Sequence, residues 1–274
     1  MDKELLRKVQ LVQLDIAKEI KRICDDNNIK YWLDSGTLLG AIRHKGFIPW
    51  DDDLDIGMLR KDYEKFLQIA PEKLDKQYFL QTPYSDKSYG MFFAKVRKLG
   101  TRYVEGSAKK SKAHNEVWVD VFPYDSCPDD ILIRKKVINK TIFYGRLLFM
   151  KTRIQPWLTK KGLKKSICIL GYIPYKICAL FWDREKLLKK ATYLQTKFNE
   201  EKTSFLYPHD VACCGKWFIP STVFDSLEST LFEDTVFTIP SGYDEYLKSV
   251  YGDYMKLPPE DKRENQHNIV EVKL

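Results

Sequence analysis

The chain has 274 residues, 44% of them hydrophobic and 14% aromatic, which excludes a disordered polypeptide and allows one large domain or a core with an added lobe. A formal charge of +8 and a pI near 9.0 suit an anionic partner, whether nucleotide, nucleic acid, polyanionic glycan or anionic membrane, without choosing among them. Met1 to Asn28 is charged throughout, unlike an apolar leader, so a cytoplasmic protein with six reduced cysteines is expected.

Residues 4–28 read as an amphipathic helix, with Leu5, Val9, Val12, Ile16, Ile20 and Ile23 at spacings of three or four and Asn27-Asn28 as the stop. Ile29–Leu33 reads as a short strand leading into Ser35-Gly36-Thr37. That small, hydroxyl-bearing turn precedes a helix over Leu38–His44 closed by Gly46. Such a turn at a helix N-terminus can hold phosphate through backbone N–H groups and the helix dipole.

Trp50–Met58 then reads as a strand. Alternation puts Asp53 and Asp55 on one face and Leu54 and Ile56 on the other. Two adjacent carboxylates repel unless a cation or proton lies between them, and oxygen ligands suit Mg²⁺, with Mn²⁺ as a substitute. Asp51 and Asp53 share the same spacing; the later pair is preferred because Leu54 supplies a buried partner that Asp52 cannot. The competing reading, a solvated acidic turn, conflicts with the apolar run Gly46–Trp50 just before it.

Downstream, Lys61–Ala70 reads as a helix ended by Pro71, and Tyr78–Gln81 and Met91–Leu99 as strands. Lys95 and Arg97 share a face with Phe93, placed either to hold phosphates or on a solvated edge strand. Glu116–Phe122 is a second chemical strand. Asp120 shares a face with Trp118 and Phe122, where burying an acid is costly unless it is paired or metal-bound. Asp120 is thus a third acid for the constellation, or else a lone acid satisfied by an arginine.

Residues 129–205 read as mostly helical, basic and apolar. Ile167–Trp182 is short of the ~20 residues a membrane span needs and is interrupted by Gly171, Pro174 and Lys176. Its lysine-rich flanks fit a segment lying in a membrane interface, the alternative being a buried helical hairpin. Cys213-Cys214, four residues after His209, is either a fragment of a zinc site or a pair of buried thiols. Trp217–Pro220 and Val236–Pro240 read as short strands, Ser241–Leu247 as a helix start, and Val250–Pro259 as a tight aromatic turn. That turn could stack on a base, shape an acceptor pocket, or simply pack on the core.

Three blocks of this sequence resemble the LicD family, whose relatives include the fukutin-type transferases. The first is Ser35-Gly36-Thr37-Leu38-Leu39-Gly40 with Arg43, Gly46, Pro49-Trp50-Asp51-Asp52-Asp53 and Asp55; the second is Val119-Asp120-Val121-Phe122-Pro123; the third is Tyr246-Leu247 followed by Tyr251-Gly252-Asp253-Tyr254-Met255 and Pro258-Pro259. The resemblance implies an α/β (α+β) nucleotidyltransferase-like fold: a mixed sheet core flanked by helices, with an added largely helical region. The expected layout is a catalytic core over 1–128, a helical and basic region over 129–205, and a C-terminal part over 206–274 completing one unit.

The resemblance also implies a chemistry. Asp53, Asp55 and Asp120 would hold divalent metal, with Asp120 as general base for an acceptor hydroxyl. Ser35, Gly36 and Thr37 would hold the donor's phosphates, Arg43, His44 and Lys45 would neutralise a leaving CMP, and Lys95 and Arg97 would add phosphate contacts. Trp50, Tyr251, Asp253, Tyr254 and His267 would bind substrate. The reaction implied is transfer of a substituted phosphate, phosphocholine from CDP-choline in particular, to a sugar hydroxyl of teichoic acid, lipopolysaccharide or a related lipid-linked glycan, at the inner face of the membrane. Two alternatives stay open: transfer of a nucleoside monophosphate onto a small molecule or protein, and a basic nucleic-acid- or membrane-binding module without chemistry. No nucleic-acid motif is recognisable, so nucleic acid is not expected as a partner.

Overall fold

The computed structural model describes residues 1–208, 216–265 and 267–274; His209 and the Cys213-Cys214 pair lie outside them. The first helix, α1 (Lys3–Asp26), begins at Asp2, whose carboxylate accepts the Leu5 N–H at 2.8 Å. Its inward face carries the expected Val9, Ile16, Ile20 and Ile23, but also two buried amides, Gln10 and Gln13. β1 (Trp32–Leu33) leads into α2 (Ser35–His44), which starts at the Ser-Gly-Thr turn itself rather than at Leu38.

β2 (Asp55–Leu59) is shorter than the expected strand: Asp51 to Leu54 are outside any ladder and are held by side chains from elsewhere. α3 (Arg60–Lys73) continues through Pro71, because a proline in the last turn costs a single backbone bond, and Leu74 N–H still reaches Ala70 O at 2.9 Å. β3 (Tyr78–Gln81), β4 (Ala94–Lys98), β5 (Arg102–Glu105) and the long β6 (Trp118–Cys127) follow. Helices α4 (Ile131–Thr152), α5 (Gly162–Leu180) and α6 (Arg184–Thr196) come next, then β7 (Phe205–Pro208), β8 (Ile219–Pro220), β9 (Leu227–Phe232), β10 (Thr235–Pro240), α7 (Tyr243–Tyr251) and β11 (Ile269–Lys273).

The main sheet runs β1-β2-β6-β4-β3, with β7 joined to the far half of β6 and β8 to β7. Among the described strands only β2 and β6 pair in parallel, and their register sets Asp55 beside Asp120. The fold is therefore a mixed α/β sheet flanked by helices, as the sequence leads one to expect. β4 is interior, between β3 and β6, so the solvated-edge reading of its cations does not hold. Two small sheets complete the structure: the β9–β10 hairpin and the β5–β11 pair.

One core joins α1, the central sheet, the β9–β10 hairpin and α7. A separate cluster, built on Leu147, Leu148, Leu187, Leu188 and Ala191, joins the three helices α4, α5 and α6. No helix of the described residues is long and apolar enough to cross a membrane.

Candidate active site

A cleft of about 740 Å³ runs across the edge where α2 meets the acidic segment. Ser35, Gly36, Leu39 and Arg43 form one wall, Asp51, Asp53 and Asp55 the floor, and Trp217, Tyr251, Tyr254, Lys256 and Lys262 the opposite side. The acids thus face the cleft at every second residue, as an extended segment requires. The alternation extends one step further back than the preferred pair, and Asp51 joins the floor.

Asp52 points the other way. It is fully buried, accepts from the Tyr103 hydroxyl at 3.3 Å and from the His267 backbone N–H at 3.3 Å, and lies 3.1 Å from His267 Nδ1. Burial alone would lower the His267 pKa. The hydrogen bond to Asp52 and the charges of Asp53, Glu105 and Asp52 outweigh it and push the pKa up to about 10. His267 therefore acts as a cation against Asp52 and Asp53 rather than as part of the cleft wall.

The acidic segment is fixed through its backbone. Gln10 Nε2 donates to Asp51 O and Gln13 Nε2 to Asp52 O, both at 2.9 Å. Thr37 Oγ1 accepts the Asp55 N–H at 2.9 Å, Asp34 N–H donates to Asp55 O at 3.0 Å, and Asp120 N–H donates to Leu54 O at 3.0 Å. These bonds pin the main chain of the acidic segment without using its cleft-facing carboxylates. Gln10 and Gln13 left a trace in the sequence, as two amides interrupting the apolar face of α1.

Gly36 is required by a close approach: a Cβ there would stand 2.8 Å from Asp51 Oδ2. The Asp51 carboxylate consequently sits against the first turn of α2, in the space where the sequence suggests a phosphate. Ser35, at φ 48°, holds the left-handed conformation that starts the turn. Asp34, just before it, makes no capping bond. Its buried carboxylate instead accepts from Tyr246 at 2.7 Å, Tyr124 at 2.9 Å and Trp32 Nε1 at 3.3 Å. Burial raises its pKa and these three donors partly offset the rise.

Electrostatically the floor is set for a cation. Burial raises the Asp55 pKa well above the ordinary range, and the charges of Asp53, Asp120, Asp34 and Asp51 add to it. Asp51 is raised by burial, then by Asp53. Asp120 is raised by burial and partly relieved by Lys95, whose Nζ lies 2.8 Å from its Oδ1 and 4.0 Å from the Trp118 ring centre. Asp55 Oδ1 is buried without a hydrogen-bond partner among the described residues. Hard carboxylate oxygens with an unpartnered buried member fit a divalent cation. Asp52, Asp53 and His267 also bring one ligand atom each within 4.8 Å of one another, but this group takes a metal only with the His267 ring deprotonated.

Several expected contacts fall elsewhere. Arg97 is buried, donates to Gln81 Oε1 and Glu116 O at 2.5 Å each, and does not reach the cleft. Lys95 serves Asp120 rather than a ligand's phosphate. Thr37 holds Asp55 rather than lining the wall. Lys45 closes α2 in the left-handed region, and His44 Nε2 accepts from Arg43 Nε at 3.0 Å; neither lines the cleft. Arg43 does, with its Nη1 on Tyr254 O at 2.7 Å. Trp50, Tyr251, Asp253 and Tyr254 line it as expected. Trp217, Lys256 and Lys262 do so without having been singled out, because wall position depends on the 216–265 region folding back over α2.

Comparison with known proteins matches residues 28–159 to the family described as LicD/FKTN/FKRP, nucleotidyltransferase domain. The chain is 31% identical over 271 residues to the lipopolysaccharide cholinephosphotransferase LicD of Haemophilus influenzae, covering 97% of each. It is 40% identical over 48 residues to the ribitol 5-phosphate transferase FKRP of Homo sapiens, 18% of this chain and 10% of that one. It is 39% identical over 64 residues to the ribitol-5-phosphate transferase FKTN of Mus musculus, 23% of this chain and 13% of the relative.

Proposed function

We propose, from the premise that this chain belongs to the LicD family, that it is a phosphotransferase moving phosphocholine from CDP-choline to a sugar hydroxyl of a surface glycan such as lipopolysaccharide or teichoic acid. The observation that carries this reading is a single cleft with Asp51, Asp53 and Asp55 on its floor and Trp217 and Tyr251 on the facing wall. The two rings lie 6.4 Å apart, centre to centre. Aromatic faces suit a quaternary ammonium head group, whereas the polyol of CDP-ribitol has no positive charge to offer them.

In this reading Asp53 and Asp55, with Asp120 behind them, hold Mg²⁺, which when bound neutralises charge on the donor's phosphates. Arg43, Lys256 and Lys262 supply the cations around the CMP portion, a role expected of Arg43, His44 and Lys45. Ser35 and Gly36 contribute the open first turn of α2. The acceptor oxygen bonds to the choline-bearing phosphorus as the bond to CMP breaks, and the hydroxyl proton passes to a carboxylate. Asp51, on the cleft floor, is better placed to take it than Asp120, which is paired with Lys95 behind Asp55. The acceptor being lipid-linked, and the enzyme working at the inner face of the membrane, complete the proposal.

A thermal-shift series with CDP-choline, CDP-ribitol, CDP-glycerol, CTP and ATP, each with and without Mg²⁺, tests the donor, and product mass tests the group transferred. A Mg²⁺-dependent shift greatest with CDP-choline is expected, and Trp217→Leu should narrow its lead over CDP-ribitol by roughly tenfold in affinity, a typical cation–π contribution. A shift with CTP or ATP alone, and a product heavier by a nucleoside monophosphate, would replace this reading with nucleotidyl transfer.

A further inference from the structure

The helical lobe has a surface that the reaction does not use. α5 packs on its neighbours through one face, where Tyr175 accepts from Arg146 at 2.8 Å and Ala179 is buried. On a soluble protein the opposite face of such a helix is ordinarily polar. Here Leu163, Ile167, Leu170, Ile177, Leu180 and Phe181 are 54–84% exposed. At 100° per residue, most of them fall in one stripe turned away from the packed face. So long a continuous apolar strip exceeds the scattered exposure normal for a monomer.

The charge around this stripe is one-sided. Between Ile131 and Trp182 there are twelve lysines and arginines and no aspartate or glutamate. The other residues hold thirty-four cations against thirty-eight acids, so this segment carries the chain's whole positive excess. Lys160, Lys161, Lys164 and Lys165 bracket the start of α5, and Lys176 lies along its flank.

We propose that the outer face of α5 docks onto an anionic lipid bilayer, lying in the interface with its apolar stripe among the acyl chains and its lysines at the headgroups. Apolar burial and attraction to anionic lipid act together in such helices. A second copy of the chain is a poor occupant, since two lobes each carrying twelve cations repel. Nucleic acid would engage the lysines and leave the apolar stripe in water. Lysines that bracket an apolar stripe satisfy both only at a lipid surface. The inference rests on, and deepens, the membrane location in the proposed function but depends on neither donor nor acceptor, so its failure would remove that location and leave the proposed phosphocholine transfer standing.

The test is co-sedimentation of the full chain with phosphatidylcholine vesicles and with vesicles containing about a third phosphatidylglycerol, a fraction chosen to give a strongly anionic surface. Binding to the anionic vesicles that weakens with salt is expected. The double variant I167S/L170S and the charge variant K164E/K165E should each reduce it at least tenfold, with the far-UV spectrum and Mg²⁺-dependent thermal shift of both variants unchanged. Because these side chains are exposed, the variants keep the packed face intact. Wild-type protein that stays in the supernatant, or I167S/L170S that sediments with the vesicles as wild type does, would overturn the proposal. So would a salt-resistant dimer in solution that I167S/L170S dissociates, since the stripe would then be a subunit interface.

Discussion

Substituting Asp55→Asn is expected to raise the melting temperature of the metal-free protein while abolishing its activity. Asp55 is buried, one of its oxygens lacks a partner among the described residues, and four neighbouring acids add to the cost of ionising it. An amide of the same shape removes that charge, and its N–H can donate to the carboxylates around it. Relieving a strained functional position commonly yields about 0.5–2 kcal/mol. For a chain of this size 1 kcal/mol moves the melting temperature by roughly 2–4 °C, so a rise of about 1–8 °C is expected. The sign with pH follows from the raised pKa. The folded state binds that proton more tightly than the unfolded one, so the penalty is absent at low pH and grows as pH rises. The gap between variant and wild type should therefore close as pH falls toward the ordinary carboxylate range.

The same substitution removes a ligand. A donor–metal pair at a hundred times its dissociation constant stabilises by about 2.7 kcal/mol, a shift of roughly 5–10 °C that Asp55→Asn should lose. Transfer should drop about a thousandfold, the scale of losing one preorganised electrostatic contact. Asp52→Asn is the control with opposite signs. It removes the charge that His267 faces and one of the two acceptor oxygens, costs about 1–3 kcal/mol, and leaves much of the transfer because this side chain faces away from the cleft. Scanning calorimetry in EDTA across pH 5–8, repeated with Mg²⁺ and CDP-choline, reads all of this. An Asp55→Asn protein that melts below wild type without metal, yet keeps the full ligand shift, would refute the reasoning.

Two further outcomes follow from the contacts. Thr37→Val deletes the acceptor for the Asp55 N–H and should cost about 1–3 kcal/mol by urea unfolding together with a fall in kcat, while Thr37→Ser restores both. His267→Gln should flatten the alkaline limb of stability. A histidine raised to about 10 stabilises the wild type fully below its unfolded value near 6.5 and loses that contribution as pH climbs to about 10. Denaturation in EDTA at pH 6.5 and pH 10 should therefore show a smaller decline in the variant, and equal declines would remove His267 from the account.

The elements that carried strong local pattern could be read directly: α1 from its apolar spacing, β2 and β6 from acids set among apolar residues, α7 from the aromatic block around Tyr246. What failed to show were relations between segments. Lys95 and Arg97 alternate as they would on any strand; that β4 lies inside the sheet, covering Arg97 and turning Lys95 onto Asp120, depends on β3 and β6 as neighbours. β5 and β11 are short and heavily charged, and each becomes a strand only through the other. β9 is mostly exposed and takes its register from β10. Asp34 is one letter before a recognisable turn, and nothing local says that Tyr124 and Tyr246, 90 and 212 positions away, will donate to it.

Those long-range bonds explain how a cluster of mutually repelling acids can survive folding at all. If neighbouring side chains satisfied Asp51, Asp53 and Asp55, the cluster would be stable and inert. Instead the donors from Gln10 and Gln13 go to carbonyls, the Asp55 N–H goes to Thr37, and the main-chain N–H groups of Asp34 and Asp120 grip the two sides of the segment. Asp52, bonded by the His267 backbone N–H and facing its ring, is turned away from the cleft. The backbone is fixed and the carboxylates are left wanting a cation, so the position of the bound charge is set before any ligand arrives. That division requires α1, α2, β5 and the segment leading into β11 to converge on one short loop. The likeness to the Haemophilus influenzae relative likewise runs over 97% of each chain, well beyond the acidic block.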